Sequence, residues 1–169
     1  MESQIIKKAI KGDSEALTIL VNTYKDIAYN LALSIVKNKE YAKDITQDSF
    51  LKVLENISEF RKDSKFSTWL YRIVYNQSIA FVIKENRFKK EDYSLLVETT
   101  EKDEYLDDKI QNLKKSINLL NDTDRNIIML FYLAEKSIKE IAQITGLSSA
   151  NIKVILHRAR KKLYQKIEL

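Results

Sequence analysis

The chain contains no cysteine and no proline, and its 169 residues include only two glycines, Gly12 and Gly146. Without cysteine there is no disulfide framework and no thiolate zinc site. A single histidine, His157, would leave any imidazole metal site dependent on carboxylates, so neither a metal nor a cofactor is expected. Average usage would supply roughly 8 prolines and 12 glycines at this length. Proline removes a backbone donor and glycine raises the entropic cost of helix formation, so a chain this poor in both is expected to be all-α. No run approaches the ~20 apolar residues of a membrane span, and residues 1–13 lack the apolar stretch of a signal peptide. The expectation is a cytoplasmic protein with no direct membrane insertion.

What is present is enough hydrophobic material, 44% of residues, to build real cores. The net charge of +5 is unevenly distributed. Residues 61–90 carry 8 basic against 2 acidic side chains, residues 91–112 carry 2 against 8, and residues 136–169 again carry 8 against 2. A single charge run is most simply a solvated face. Two basic blocks of equal size, each tied to a helical stretch and separated by an acidic one, point to two contacts with a polyanion.

Apolar spacing of three and four residues marks the helices. Asp13 is placed to cap a stretch in which Ala16, Leu17, Leu20, Tyr24, Ile27, Ala28, Leu31 and Ile35 recur. Asn38 is placed to cap a second, AKDITQDSFLKVLENI, whose Ala42, Ile45, Ser49, Val53 and Asn56 share one side while Asp44, Gln47, Asp48, Leu51 and Lys52 share the other. The loop EFRKDSKF precedes a third, STWLYRIVYNQSIAFVIKENR, for which Ser67 is the candidate cap. From residue 88 to about 110 periodicity fades and acid concentrates, which reads as a linker despite Leu95, Leu96 and Val97. The expected organisation is two small helical domains, 1–88 and 113–169, joined by an acidic linker at 89–112.

The C-terminal part carries the sharpest motif. Asn121 or Asp122 can cap a short helix containing Ile127, Ile128, Leu130 and Phe131. Ser137 and Glu140 form a capping-box pair at the start of the next, and Gly146 stands where a left-handed residue would end it. Ser148 is placed to cap the last helix. With Ile138 as the first position of a helix-turn-helix, Ala142 falls fifth, Gly146 ninth, Leu147 tenth, Ile152 fifteenth and Ile155 eighteenth. A small residue lets the helices cross closely, glycine permits the turn, and the aliphatic residues pin the second helix on the first. In that second helix Ile152, Ile155, Leu156, Ala159 and Leu163 form an inward stripe. Lys153, His157, Arg160 and Lys161 run along the other face with Arg158 beside them, placed to meet phosphates while the helix N-terminus enters a major groove. Each of these side chains alone is most simply solvated, His157 included; as a set they favour DNA contact.

Taken in order, GDSEALTILVNTY, AKDITQDSFLKVLENI, FRKDSKFSTWLYRIVYN and LNDTDRNIIMLFYLAEKSIKEIAQITGLSSANIKVILHRARKKL resemble the extracytoplasmic-function sigma factors of the sigma-70 family over nearly the whole chain. The resemblance implies a protein that binds core RNA polymerase through its beta and beta-prime subunits and directs it to promoter DNA. It implies polymerase docking by Asp44, Gln47, Asp48, Leu51 and Leu54. For the −10 element it implies a base-holding pocket built by the EFRKDSKF loop and Asn76, with Phe60, Arg61, Lys65, Arg72, Lys84 and Arg87 as further DNA contacts. Phe66 and Trp69, at the start of a helix, are expected to be core. For the −35 element it implies Ser149, Asn151, Lys153, Val154, His157, Arg158 and Lys161. An anti-sigma factor is the further partner implied, and the acidic linker would run through the polymerase toward the RNA exit path.

Two positions depart from the family pattern. Relatives commonly have a proline after the leucine at Leu120, where this chain has Asn121, itself able to cap. Relatives often have Leu-Arg after the melting helix, where this chain reads Phe81, Val82, Ile83 and Lys84, which weakens the case for duplex contacts there. Two other classes compete. A stand-alone helix-turn-helix regulator explains the C-terminus but gives no role to AKDITQDSF or FSTWLYRIVYN. An enzyme could use Asp44, Asp48 and Glu55, but there is no matching second cluster, no phosphate-cradling glycine loop and no nucleophile–base pair. The helix-turn-helix reading makes a direct demand on Ile155. Ile155→Asp would put an unpaired charge on the packing face, and the expected result is loss of the C-terminal domain, seen as reduced helical circular dichroism and a lost thermal transition.

Overall fold

The computed structural model describes residues 2–61, 63–89, 117 and 119–167, and every regular element among them is helical. In chain order these are α1 (Glu2–Ile10), α2 (Ser14–Val36), α3 (Lys39–Asn56) with a 3-10 turn at Ile57–Glu59, α4 (Phe66–Lys89), α5 (Asp122–Ile128) continuing into a π-helical turn at Met129–Leu133, α6 (Ile138–Thr145) and α7 (Ser149–Ile167). Beyond Lys89, the segment expected as the acidic linker, 89–112, lies outside the described residues.

Most helix starts follow the side-chain caps legible in the sequence. Asp13 Oδ1 accepts the Ala16 N–H at 2.9 Å, Asn38 Oδ1 that of Tyr41 at 3.0 Å, Asn121 Oδ1 that of Asp124 at 2.8 Å and Ser148 Oγ that of Asn151 at 3.2 Å. The Ser137–Glu140 capping box is closed in both directions. Gly146 ends α6 with φ +76°; a Cβ there would meet nothing within 4 Å, so the demand for glycine is conformational. Two elements differ from expectation. Helix α1 precedes the first expected start; nine residues are too few to hold helix alone, and it is held by burying Ile6 and Ala9 against the rest and by a Tyr24–Glu2 hydrogen bond. Helix α4 begins at Phe66, its first turn accepted by the Lys65 carbonyl, so Ser67 lies inside the turn and is not its cap.

Helices α2, α3 and α4 pack on one another. Ala28, Ala32, Ala42, Ser49 and Ser78 have no exposed surface at all, which lets the backbones approach. The buried hydroxyls of Thr46, Ser49 and Ser78 donate to carbonyls four residues back, at 2.7, 2.7 and 2.8 Å, so burial leaves them satisfied. An aromatic cluster closes one end: Phe60 lies 5.9 Å from Phe66 and 5.1 Å from Trp69 between ring centroids, and Tyr24 lies 5.5 Å from Phe66. Phe66 and Trp69 are therefore packing residues, as expected. Phe60 is a correction: the residue is 9% exposed and packed against Phe66 and Trp69, so it belongs to the core.

Helices α5 to α7 close around Ile127, Leu130, Ile141, Ile144, Ile152, Leu156 and Ala159. Inside this unit lies Asp124, fully buried, which accepts both an Nη of Arg158 and, at 3.1 Å, its Nε, with Lys162 Nζ at 3.6 Å. This carboxylate ties α5 to α7. Asp124→Ala is expected to lower the stability of the C-terminal unit by about 1.5–3 kcal/mol, the range for hydrogen bonds to charged groups, checked by urea unfolding against the parent.

Candidate functional site

Helix phase sets what each candidate surface presents. On α3, Ala42, Ile45, Ser49 and Val53 are buried, so Asp44, Gln47, Asp48, Leu51 and Leu54 all emerge on the opposite side. Leu51 is 49% and Leu54 40% exposed, which puts two apolar side chains beside three polar ones on a single unpaired helix face. Such a surface can bury apolar area against a partner while its polar groups set register.

On α4 the exposed row is Arg72, Asn76 and Lys84, spaced by whole multiples of four residues, with Ile83 beside them. Arg61 is exposed in the loop before the helix. The side chain of Arg87 lies outside the described residues. Lys65 is solvent-facing yet already paired, its Nζ 3.1 Å from Glu140 in the C-terminal unit.

On α7, Ser149, Asn151, Lys153, Val154, His157 and Lys161 are exposed while Ile152, Ile155, Leu156 and Ala159 are buried. The N-terminal turn of this helix with its following basic row can enter a groove and meet phosphates. Arg158 differs from its neighbours. It is half exposed, but its guanidinium forks onto Asp124, so its first role is to hold α7 on α5. Arg160 also turns away from the row, donating to the Tyr132 hydroxyl at 2.7 Å and stacking over the Phe131 and Tyr132 rings.

The sequence reading missed a polar contact between the two units. Lys136, just before α6, is 7% exposed and donates to Ser67 Oγ at 2.5 Å, 5.2 Å above the Tyr71 ring. Glu140 divides its carboxylate. One oxygen accepts the Ser137 N–H at 2.9 Å and hydroxyl at 2.7 Å, while the other accepts the Thr68 hydroxyl at 3.2 Å and faces Lys65. Only the capping half of this was legible, because Ser137 and Glu140 are three residues apart whereas Lys65 and Thr68 lie more than seventy away. Burial works against the charge on both groups. It pushes the Lys136 ammonium below the usual lysine range, with Lys65 adding to the shift and Glu140 opposing it. For Glu140 burial is outweighed by the Ser137 hydrogen bonds, Lys65 and Lys136, and its pKa falls to about 2. Among the described residues no group of three or more His, Cys, Asp or Glu could hold a metal ion, and no helix is long and apolar enough to cross a membrane.

Comparison with known proteins gives these surfaces a context. Residues 20–88 match the family Sigma-70 region 2, and residues 110–163 match Sigma-70, region 4. The ECF RNA polymerase sigma factor SigW of Bacillus subtilis (strain 168) is 33% identical, over 96% of this chain and 94% of its own length. The RNA polymerase sigma factor SigV of the same organism is 29% identical over 89% of this chain and 91% of its own. In fold, the chain is similar to the sigma factor RpoE solved in complex with the anti-sigma factor NepR from Bartonella quintana, with a TM-score of 0.78, 23% identity, and coverage of 90% of this chain and 96% of that one. It is also similar to CnrH solved in complex with the cytosolic domain of CnrY, with a TM-score of 0.68, 21% identity, and coverage of 97% and 95%.

The depressed pKa of Glu140 fixes the sign of one pH effect. A carboxyl whose pKa falls on folding from 4.5 to about 2 contributes stability that is fully present above pH 4.5 and is lost as pH falls toward 2. Glu140→Gln should be less stable than the parent at neutral pH, and the gap should narrow across that acid window in parallel urea titrations.

Proposed function

This chain belongs to the extracytoplasmic-function sigma factors of the sigma-70 family, and from that membership we infer that it binds core RNA polymerase and directs it to promoter DNA to start transcription. The observation that carries the reading is the pairing, in one chain, of an exposed, half-apolar α3 face with a capped helix-turn-helix whose second helix turns a basic row outward. A stand-alone DNA-binding regulator has no use for the first of these.

The division of labour follows the surfaces. Residues 1–88 form the unit for the polymerase and the −10 element, residues 113–169 the unit for the −35 element, and 89–112 the connection. Asp44, Gln47, Asp48, Leu51 and Leu54 dock on the polymerase. The loop around Arg61 and Lys65, with Asn76 and Arg72 on α4, holds the −10 strand once it is opened: an amide offers a base edge both donor and acceptor, and the cations hold the backbone. Lys84 and Arg87 extend the phosphate contacts. Ser149, Asn151, Lys153, Val154, His157 and Lys161 face the −35 duplex, with Arg158 supporting α7 from behind. The activity is binding and positioning rather than enzymatic turnover, and its place is the cytoplasm, where polymerase and promoters are. An anti-sigma factor is the natural regulator, in keeping with the NepR and CnrY complexes of the structural relatives.

The test is co-elution of the purified chain with bacterial core RNA polymerase on size-exclusion chromatography. Co-elution upholds the reading; clean separation, with tight binding of duplex DNA by the chain alone, favours the stand-alone regulator. Asn76→Ala should retain co-elution while reducing promoter opening about tenfold or more, as reported by permanganate reactivity of the −10 thymines; equal loss of both would remove Asn76 from the pocket.

A further inference from the structure

Helix α1 gives the core little: Ile6 and Ala9 are buried, Ile5 and Ile10 only partly. Its outward side is basic. Lys7 and Lys8 stand exposed in its last turn and Lys11 in the turn that follows, and the 3.6-residue period places the three within roughly 100° of arc, opposite Ile6 and Ala9. Glu2 is the single acidic residue among the first twelve, and its carboxylate is taken by the Tyr24 hydroxyl. Among the described residues none of the three ammonium groups meets a carboxylate. Lysines in a last turn complement the negative end of the helix dipole. That suits the helix, but it does not call for three cations on one face with no counter-charge.

The place of α1 in the fold gives this face a partner. The helix packs on α2 and on the 3-10 turn Ile57–Glu59, which leads into the loop carrying Arg61 and Lys65. Tyr24, bound to Glu2, has its ring 5.5 Å from that of Phe66, the first residue of α4. Helix α1 therefore frames the loop from the turn before it and, through Tyr24, from the helix after it. It also lies ahead of residues 20–88, the part that matches Sigma-70 region 2, so that match assigns it no role. We propose that Lys7, Lys8 and Lys11 form a second phosphate-binding face, which holds the DNA backbone next to the bases received by Asn76 and the loop. The face rests on the sigma-factor reading above for which DNA it holds. A lysine meets a phosphate as a flexible point charge and reads no sequence, so the face adds affinity without adding base preference. Each phosphate it neutralises releases condensed counterions, which makes salt dependence its signature.

The test compares the parent with a variant carrying Lys7→Gln, Lys8→Gln and Lys11→Gln, each bound to core polymerase. The probe is a forked DNA cut from a promoter mapped by run-off transcription with the parent. Glutamine keeps helix propensity, and circular dichroism checks that the fold is retained. Co-elution with core should be unchanged, while the slope of log affinity against log salt becomes shallower by about 2, at roughly 0.7 per single-strand phosphate. A role confined to helix stability would leave the slope unmoved; Lys7→Arg, Lys8→Arg and Lys11→Arg together should restore it. A second readout does not depend on the glutamine variant folding. The chain has no cysteine, so Gln4→Cys, exposed on the same face, can carry a photocrosslinker at a unique position and should label DNA beside the −10 element. An unchanged slope overturns the face, as does labelling of polymerase alone. Loss of core affinity in the glutamine variant also overturns it, because the lysines then meet an acidic surface of the polymerase. If the parent itself does not co-elute with core, the sigma-factor reading fails, and slopes for the chain alone on a short duplex decide the face separately. There a shallower slope in the glutamine variant upholds phosphate contact, and an equal one overturns it.

Discussion

In a chain without proline, the places where helices begin are set largely by side chains that cap them, and the rest of this structure depends on the phase those caps impose. Asp13, Asn38, Asn121, Ser137 and Ser148 each satisfy a backbone donor that would otherwise be orphaned. Each such cap is worth about 1 kcal/mol, yet its larger effect is geometric. Once α3 starts after Asn38, the 3.6-residue period sends Ala42, Ile45, Ser49 and Val53 inward and leaves Asp44, Gln47, Asp48 and Leu51 on the outside. The same holds after Ser148, where Ile152, Ile155, Leu156 and Ala159 are buried and the basic row is displayed. Functional surfaces here are what remains when the core has taken its share of each helix.

Charge is used in three ways that burial separates. The pairing of Asp124 with Arg158 has one partner fully out of water and holds two helices of one unit together. The Lys37–Asp122 pair is exposed on both sides and screened, so it adds little to stability. Glu140 stands between these extremes, fixed by its own helix cap and extending its second oxygen to the other unit. Pre-orientation by the cap removes part of the entropic cost of that second contact, because the side chain is already ordered before the units meet.

The reading of the sequence went furthest where a motif is local. The capping box, the glycine at the helix-turn-helix turn, the inward stripe of α7 and the outward face of α3 all involve residues a few positions apart, and spacing alone carries them. It fell short where a side chain has a distant partner. Phe60 looked like an aromatic available to a base, but Phe66 and Trp69 enclose it. Arg158 looked like one more cation in a basic row, but a carboxylate thirty-four residues earlier claims it. Ser67 looked like a helix cap, but the helix starts one residue before it and its hydroxyl serves Lys136. Helix α1 escaped notice because nine residues with a single apolar stripe gain their stability from the neighbour they pack on.

By itself, the sequence determined that the chain is helical, where most helices start, which face of each is apolar, and which family it joins. These follow from backbone propensity, capping and periodicity, all of which act within a turn or two of helix. Only the tertiary structure decided which charges are partnered, which aromatics are core and how the two units meet. Those outcomes depend on desolvation and on contacts between residues dozens of positions apart, and a side chain carries no local mark of the distant group that will bury or neutralise it.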